Sequence, residues 1–97
     1  MKNLTPKVEE AFAEAGEHLR AWRKLYALKA AQVAGRAGIA PGTLRKIENG
    51  DPSVSVGAFL EVVRSLGLLD NVTASLDPLN SDLGRARMSE HLPKRVR

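Results

Sequence analysis

Apolar residues recur along this chain at spacings of three and four, the period of an amphipathic helix. Phe12, Ala15, Leu19, Trp22 and Tyr26 form the first stripe, which Leu25 and Leu28 extend. The stripe predicts a first helix over about 6–27, interrupted or kinked near Gly16. Thr5 and Pro6 suit its N-cap and first helical position, and Glu9 and Glu10 in the first turn suit the helix dipole. Trp22, the only tryptophan, is predicted to be a core aromatic.

The pattern then tightens. Val33, Ala34 and Ala37 give an i, i+1, i+4 face on a second helix over 29–37. Ile39 follows a corner, and Leu44 and Ile47 repeat at i, i+3 on a third helix opened by Ala40 or Pro41 and ending near Glu48. Gly38 stands where a left-handed residue would end the second helix. Ala34 is small where the third helix must cross. Two short helices closing steeply on one core are the sequence form of a helix-turn-helix. Ala40 is a poor N-cap, and Asn49-Gly50 is predicted as a left-handed pair ending the third helix.

Asp51-Pro52-Ser53 is a loop. Ser55 caps a fourth helix over 56–66, with Val56, Phe59, Leu60, Val63 and Leu66 as its buried stripe and Gly67 as its end. Leu68, Leu69, Val72 and Leu76 mark a fifth short helix over 68–76, and Asp77-Pro78 breaks it. Ser81-Asp82 is predicted to cap a last short helix before Pro93. Leu79, Leu83, Met88 and Leu92 are too few for a core of their own.

The 97 residues amount to one domain with short arms. The 43% apolar content allows a modest core. No run approaches a membrane span, and the first ten residues lack a secretory h-region. Cysteine is absent, so neither disulfides nor thiolate metal sites are expected. His18 and His91 are far apart in sequence, and no histidine metal cluster is expected. No nucleophile–base pair, phosphate loop or metal spacing marks an enzyme, and no cofactor is implied. The net charge is +4, and its distribution is more telling than its size. Residues 18–47 hold Arg20, Arg23, Lys24, Lys29, Arg36, Arg45 and Lys46 with no acid among them. Residues 48–82 reverse the sign, setting Glu48, Asp51, Glu61, Asp70, Asp77 and Asp82 against Arg64. The basic run coincides with the two-helix pattern, which favours a phosphate-facing surface over a merely solvated one.

Residues 28–50, LKAAQVAGRAGIAPGTLRKIENG, resemble without a gap the phage-repressor-like, or XRE, helix-turn-helix family, and the loop and fourth helix that follow extend the likeness. The resemblance implies an all-α, five-helix, lambda-repressor-like DNA-binding bundle with helices 2 and 3 as the helix-turn-helix, plus a basic C-terminal tail. The corresponding division is an extension of helix 1 at 1–14, the helix-turn-helix domain at 15–76 and a C-terminal segment at 77–97. The stretch DPSVSVGAFLEVVRSLGLLD and the ending LPKRVR are similar to HipB-like antitoxins. That likeness implies a cytoplasmic, bacterial, nucleoid-associated autorepressor, a homodimer on a two-fold double-stranded operator, partnered by a HipA-like kinase toxin. The alternatives are a stand-alone XRE-type regulator and a protein-interaction module built on the same fold.

In this motif the third helix enters the major groove N-terminus first. Its outward positions are Pro41, Gly42, Thr43, Arg45, Lys46 and Asn49. Thr43, Arg45 and Lys46 have the chemistry to read base edges. Pro41 and Gly42 offer no side-chain hydrogen bond, so they serve either close backbone approach or a plain helix start. Arg20, Lys24, Lys29 and Arg36 are better placed as phosphate contacts, the alternative for each being a solvated charge, and Gln32 joins the DNA-binding set. The family usually has Gln at the start of its second helix and a Thr or Ser cap before it; here those positions are Ala30 and Lys29. The resemblance also implies a structural salt bridge between Arg23 and Glu48. The dimer surface is expected among Leu68, Leu69, Val72, Leu76, Leu79 and Leu83, unless these finish the monomer core. The basic end from Arg85 is a solvated tail, a DNA arm or a toxin-binding segment.

Overall fold

The computed structural model describes residues 3–91, the side chain of His91 excepted. Among them are α1 (Pro6–Leu25), α2 (Ala30–Ala37), α3 (Pro41–Glu48), α4 (Val56–Ser65), α5 (Leu69–Leu76), a 3₁₀ turn (Pro78–Asn80) and α6 (Asp82–His91), with no strand. Lys94, Arg95 and Arg97 of the basic tail, the LPKRVR ending and the His91 side chain lie outside the described residues.

The starts of these helices follow local chemistry. The Thr5 hydroxyl accepts from the Val8 N–H at 3.3 Å, Ser55 Oγ from the Ala58 N–H at 3.0 Å, and Ser81 Oγ from the Gly84 N–H at 2.9 Å. Each satisfies one of the donors that a helix start leaves unpaired. Pro41 opens α3, but Ala40 ahead of it has no side-chain acceptor. Left-handed glycines follow α2 at Gly38, α3 at Gly50 and α4 at Gly67. Asn49, expected to share that conformation with Gly50, has φ −89° instead; the reversal needs one left-handed residue, and glycine takes it without steric cost. α1 closes on Ala27 at φ 56°, a place where glycine would be the easier residue.

The core is built from Leu19, Val33, Ala34, Ala37, Leu44, Ile47, Val62, Val63 and Leu66. α2 packs on α3 and α4, α1 leans on α3, and α6 packs on the 3₁₀ turn. Three expectations change. α1 runs unbroken through Gly16. The glycine is buried there because a Cβ would stand 2.5 Å from the Ile47 carbonyl oxygen and 2.6 Å from that of Glu48. Its absence of side chain lets two helices touch rather than bending one. Trp22 is not a core residue: it is 38% exposed, with its ring 5.6 Å from that of Tyr26. The inward face of α1 runs through Gly16, Leu19 and Arg23, which leaves Trp22 on its shoulder. On α4, Val56 is 74% exposed and Val62 takes the inward place. The helix begins at Val56, so its first residue overhangs the core.

Leu68, Leu69 and Val72 pack against the core as partly buried residues. Leu76, Leu79 and Leu83 remain exposed. No described helix is long and apolar enough to cross a membrane.

Candidate nucleic-acid interface

α2, its corner and α3 are held by backbone bonds first. The Gly38 N–H donates to the Gly35 carbonyl at 3.2 Å, and the Ile39 N–H to the Ala34 carbonyl at 3.0 Å. This is the paired closure of a helix by a left-handed glycine, and Ile39 beyond it packs on the core. At the other end of α2 the Lys29 N–H donates to Gln32 Oε1 at 2.7 Å. Lysine has no acceptor to return the bond, so the cap is half of the usual reciprocal pair. Gln32 spends its carbonyl oxygen on it and keeps two amide donors without a partner among the described residues.

α3 is sharply two-faced. Leu44, Ile47 and Glu48 are buried, while Pro41, Gly42, Arg45, Lys46 and Asn49 are exposed and Thr43 is half-buried. Lys29 at the N-cap of α2, Gln32 and Arg36 on α2, and Lys24 on α1 are exposed. An open cleft of about 340 Å³ gathers Arg20, Arg23 and Lys24 of α1, Ala30 of α2, and Pro41, Leu44, Arg45 and Glu48 of α3. The fold thus brings Arg20, Lys24, Pro41 and Arg45 together; Lys29, Gln32, Arg36 and Lys46 stand outside that cleft.

The charged knot in the wall of the cleft sets α3 in place. Arg23 grips Glu48 with both arms of its fork, Nε to Oε2 at 2.7 Å and Nη2 to Oε1 at 3.0 Å. Its Nη1 donates to the Leu28 carbonyl at 3.2 Å, which ties the α1–α2 corner to the same group. Arg20 adds a bond from Nε to Glu48 Oε1 at 3.4 Å and one from Nη2 to Asn49 Oδ1 at 2.8 Å. Burial pushes the Glu48 carboxyl upward, but the hydrogen bonds and charges of Arg23 and Arg20 outweigh it and hold its pKa below the ordinary value. The Arg23 pKa is raised by its hydrogen bond to Glu48, against a smaller effect of burial. Just past α3, Asp51 Oδ1 accepts from the Ser53 N–H at 2.9 Å. That backbone bond is the main cause of a lowered Asp51 pKa, helped by its other bond to Ser53 and the Lys46 charge.

A family model described as a helix-turn-helix domain matches residues 14–76, the span that contains this corner and its knot. The chain belongs to the helix-turn-helix domain family. No curated protein and no solved structure matches it. The helix-turn-helix domain begins in the third turn of α1 and ends with α5, so the first two turns of α1, the 3₁₀ turn and α6 flank it.

Two features of this helix-turn-helix domain were not predicted from the sequence. Arg20, placed as a phosphate contact, is bonded to Glu48 and Asn49, and only the fold brings residues 28 and 29 positions apart into reach. Arg64 of α4 donates from Nη2 to the Arg36 carbonyl at 2.8 Å and from Nε to Glu61 at 2.7 Å. It supplies an acceptor-seeking cation to the C-terminal end of α2, where helix carbonyls are unpaired. Among the described residues no group of acidic, histidine or cysteine side chains is arranged to hold a metal ion.

Proposed function

We propose that the protein is a transcriptional repressor that binds a two-fold DNA operator as a homodimer. The observation that carries this reading is the two-faced third helix. Leu44 and Ile47 are buried, and Arg45 and Lys46 are exposed beside them on a segment without acidic residues from 18 to 47. In this reading Thr43, Arg45 and Lys46 read base edges. Lys24, Lys29, Arg36 and the free donors of Gln32 hold phosphates, which position the domain without specifying sequence. Pro41 and Gly42 give the helix a bare leading end that lets backbone approach the groove. Two copies would set their third helices about 34 Å apart, one turn of DNA. Leu76, Leu79 and Leu83 form the dimer face in this reading, since Leu68, Leu69 and Val72 are already engaged with the core.

The finer reading is an antitoxin that represses its own operon and binds a kinase toxin encoded beside it. Its support is the sequence likeness of residues 51–70 and of the ending to HipB-like antitoxins. A protein partner is also favoured by the exposed Trp22, Leu25 and Tyr26 at the end of α1.

A gel-shift titration on the DNA upstream of the protein's own gene tests the repressor reading. A retarded complex that weakens steeply as salt rises is expected, because phosphate neutralisation releases counterions. No shift at modest salt, or an affinity indifferent to salt, overturns it. The antitoxin reading stands or falls on whether the product of the neighbouring gene co-purifies with the protein as a defined complex.

A further inference from the structure

We propose that Arg20 is a positioning residue for the third helix rather than a phosphate contact, and that it holds the Asn49 amide with its oxygen toward α1, so that Asn49 meets DNA as an N–H donor. The proposal rests on the DNA-binding reading above.

Arg23 alone already pairs with both oxygens of Glu48. Arg20 reaches the same carboxylate from one turn earlier on α1 and goes one residue further, to Asn49 Oδ1 at 2.8 Å. A guanidinium carries donors and no acceptor. The amide group that faces it must therefore be the oxygen, so the orientation of Asn49 follows from chemistry. Two arginines from one helix thus hold the last residue of another and its C-cap, and the angle of α3 is fixed at its far end.

The consequence is one of specificity. An asparagine reads adenine by accepting from N6 and donating to N7 together. Arg20 takes one of the two lone pairs of the Asn49 oxygen, so a two-handed contact would have to share that oxygen with the guanidinium. The group left without a partner among the described residues is the NH2, able to donate to an acceptor: a phosphate oxygen, or a base O or N atom. Arg20 meanwhile shares its charge with Glu48 and is a weaker phosphate ligand than a free cation on the same helix, such as Lys24.

The test uses the full chain and a duplex selected by it from a random library, with a scrambled duplex as control. Arg20→Lys keeps the charge but loses the planar fork that spans two partners. Binding of Arg20→Lys to the selected duplex is expected to weaken about tenfold, with scrambled-duplex binding and the salt slope unchanged. Asn49→Ala is expected to show the same loss, and the double variant no more than either alone. Arg20→Met is expected to leave the slope of log K against log salt within a few tenths of wild type. A slope reduced by about 0.9, the value of one phosphate, overturns the proposal. So do additive losses in the double variant, or an adenine required by the wild type and released by Asn49→Ala. Thermal melts establish that each variant is folded before its binding is compared; if Arg20→Met unfolds, Arg20→Lys decides alone. If the wild type prefers no duplex over the scrambled one, the DNA-binding reading itself fails, an outcome visible before any variant is made.

Discussion

Glu48 is a carboxylate at the end of a long basic run, and its surroundings make it a structural charge. It is 6% exposed and is held by two arginines. Removing one partner of a buried pair leaves the other charge unpaired, so Glu48→Gln should destabilise the fold by about 3 kcal/mol, read from urea unfolding. The same pair fixes a pH dependence. Its folded pKa lies below the ordinary value, so the folded state binds the proton less readily than the unfolded chain. The stabilisation is complete above the unfolded carboxylate's pKa and drains as pH falls through the folded one. Urea midpoints measured from about pH 7 down to about pH 3 should fall less steeply for Glu48→Gln than for wild type. Gly16 is the complementary residue, defined by what it lacks. Gly16→Ala puts a methyl into the backbone at Ile47 and Glu48, and a loss of about 1–3 kcal/mol is expected from the same unfolding measurement. The sequence marks Gly16 as an irregularity in a helical stripe, but a kink and a close crossing leave the same mark. Only the partner helix, 31 residues on, separates them.

Among elements, the weakest start belongs to α3. Ala40 has the extended backbone of an N-cap, φ −69° and ψ 147°, and nothing to accept with. Ala40→Ser should raise stability by about 1 kcal/mol, seen as a higher melting temperature, with the Thr43 N–H as the donor its oxygen can reach. Caps and breakers were legible because they are local: Thr5, Ser55, Gly38, Gly50 and Gly67 act on residues within four positions. Periodicity was legible wherever one helix face meets one core, as at Val33, Ala34, Leu44 and Ile47. It failed at the ends of stripes. Trp22 and Tyr26 continue the apolar spacing of α1 but rotate out of the contact with α3. Val56 repeats correctly for α4 yet sits at its first turn, beyond the core. Hydrophobic identity gives the face of a helix, and the length of the neighbour that covers it comes from elsewhere in the chain.

For the whole molecule, the two-helix corner and its bundle were readable because a contiguous stretch encodes them, whereas Arg20, Asn49 and Arg64 act through partners 28 or 29 residues away. Assembly belongs to the same scale. If Leu76, Leu79 and Leu83 form the dimer face, replacing all three by Ser should leave the helical content intact, since they are 78%, 51% and 65% exposed. Sedimentation should then show a monomer where wild type is a dimer, and affinity for a two-fold site should fall. An unchanged mass would place the contact elsewhere.

The long first helix has one more property. From Thr5 through Ala11 every residue is exposed, while Gly16 and Leu19 are buried, and short helices without packing are marginal in water. The first turns of α1 can therefore open and trade amide hydrogens with solvent while the remainder stays closed. Beyond Gly16, exchange requires α3 to leave, and with it the core. One continuous helix in space is two segments in time, and the boundary falls where α1 first meets the helix it holds.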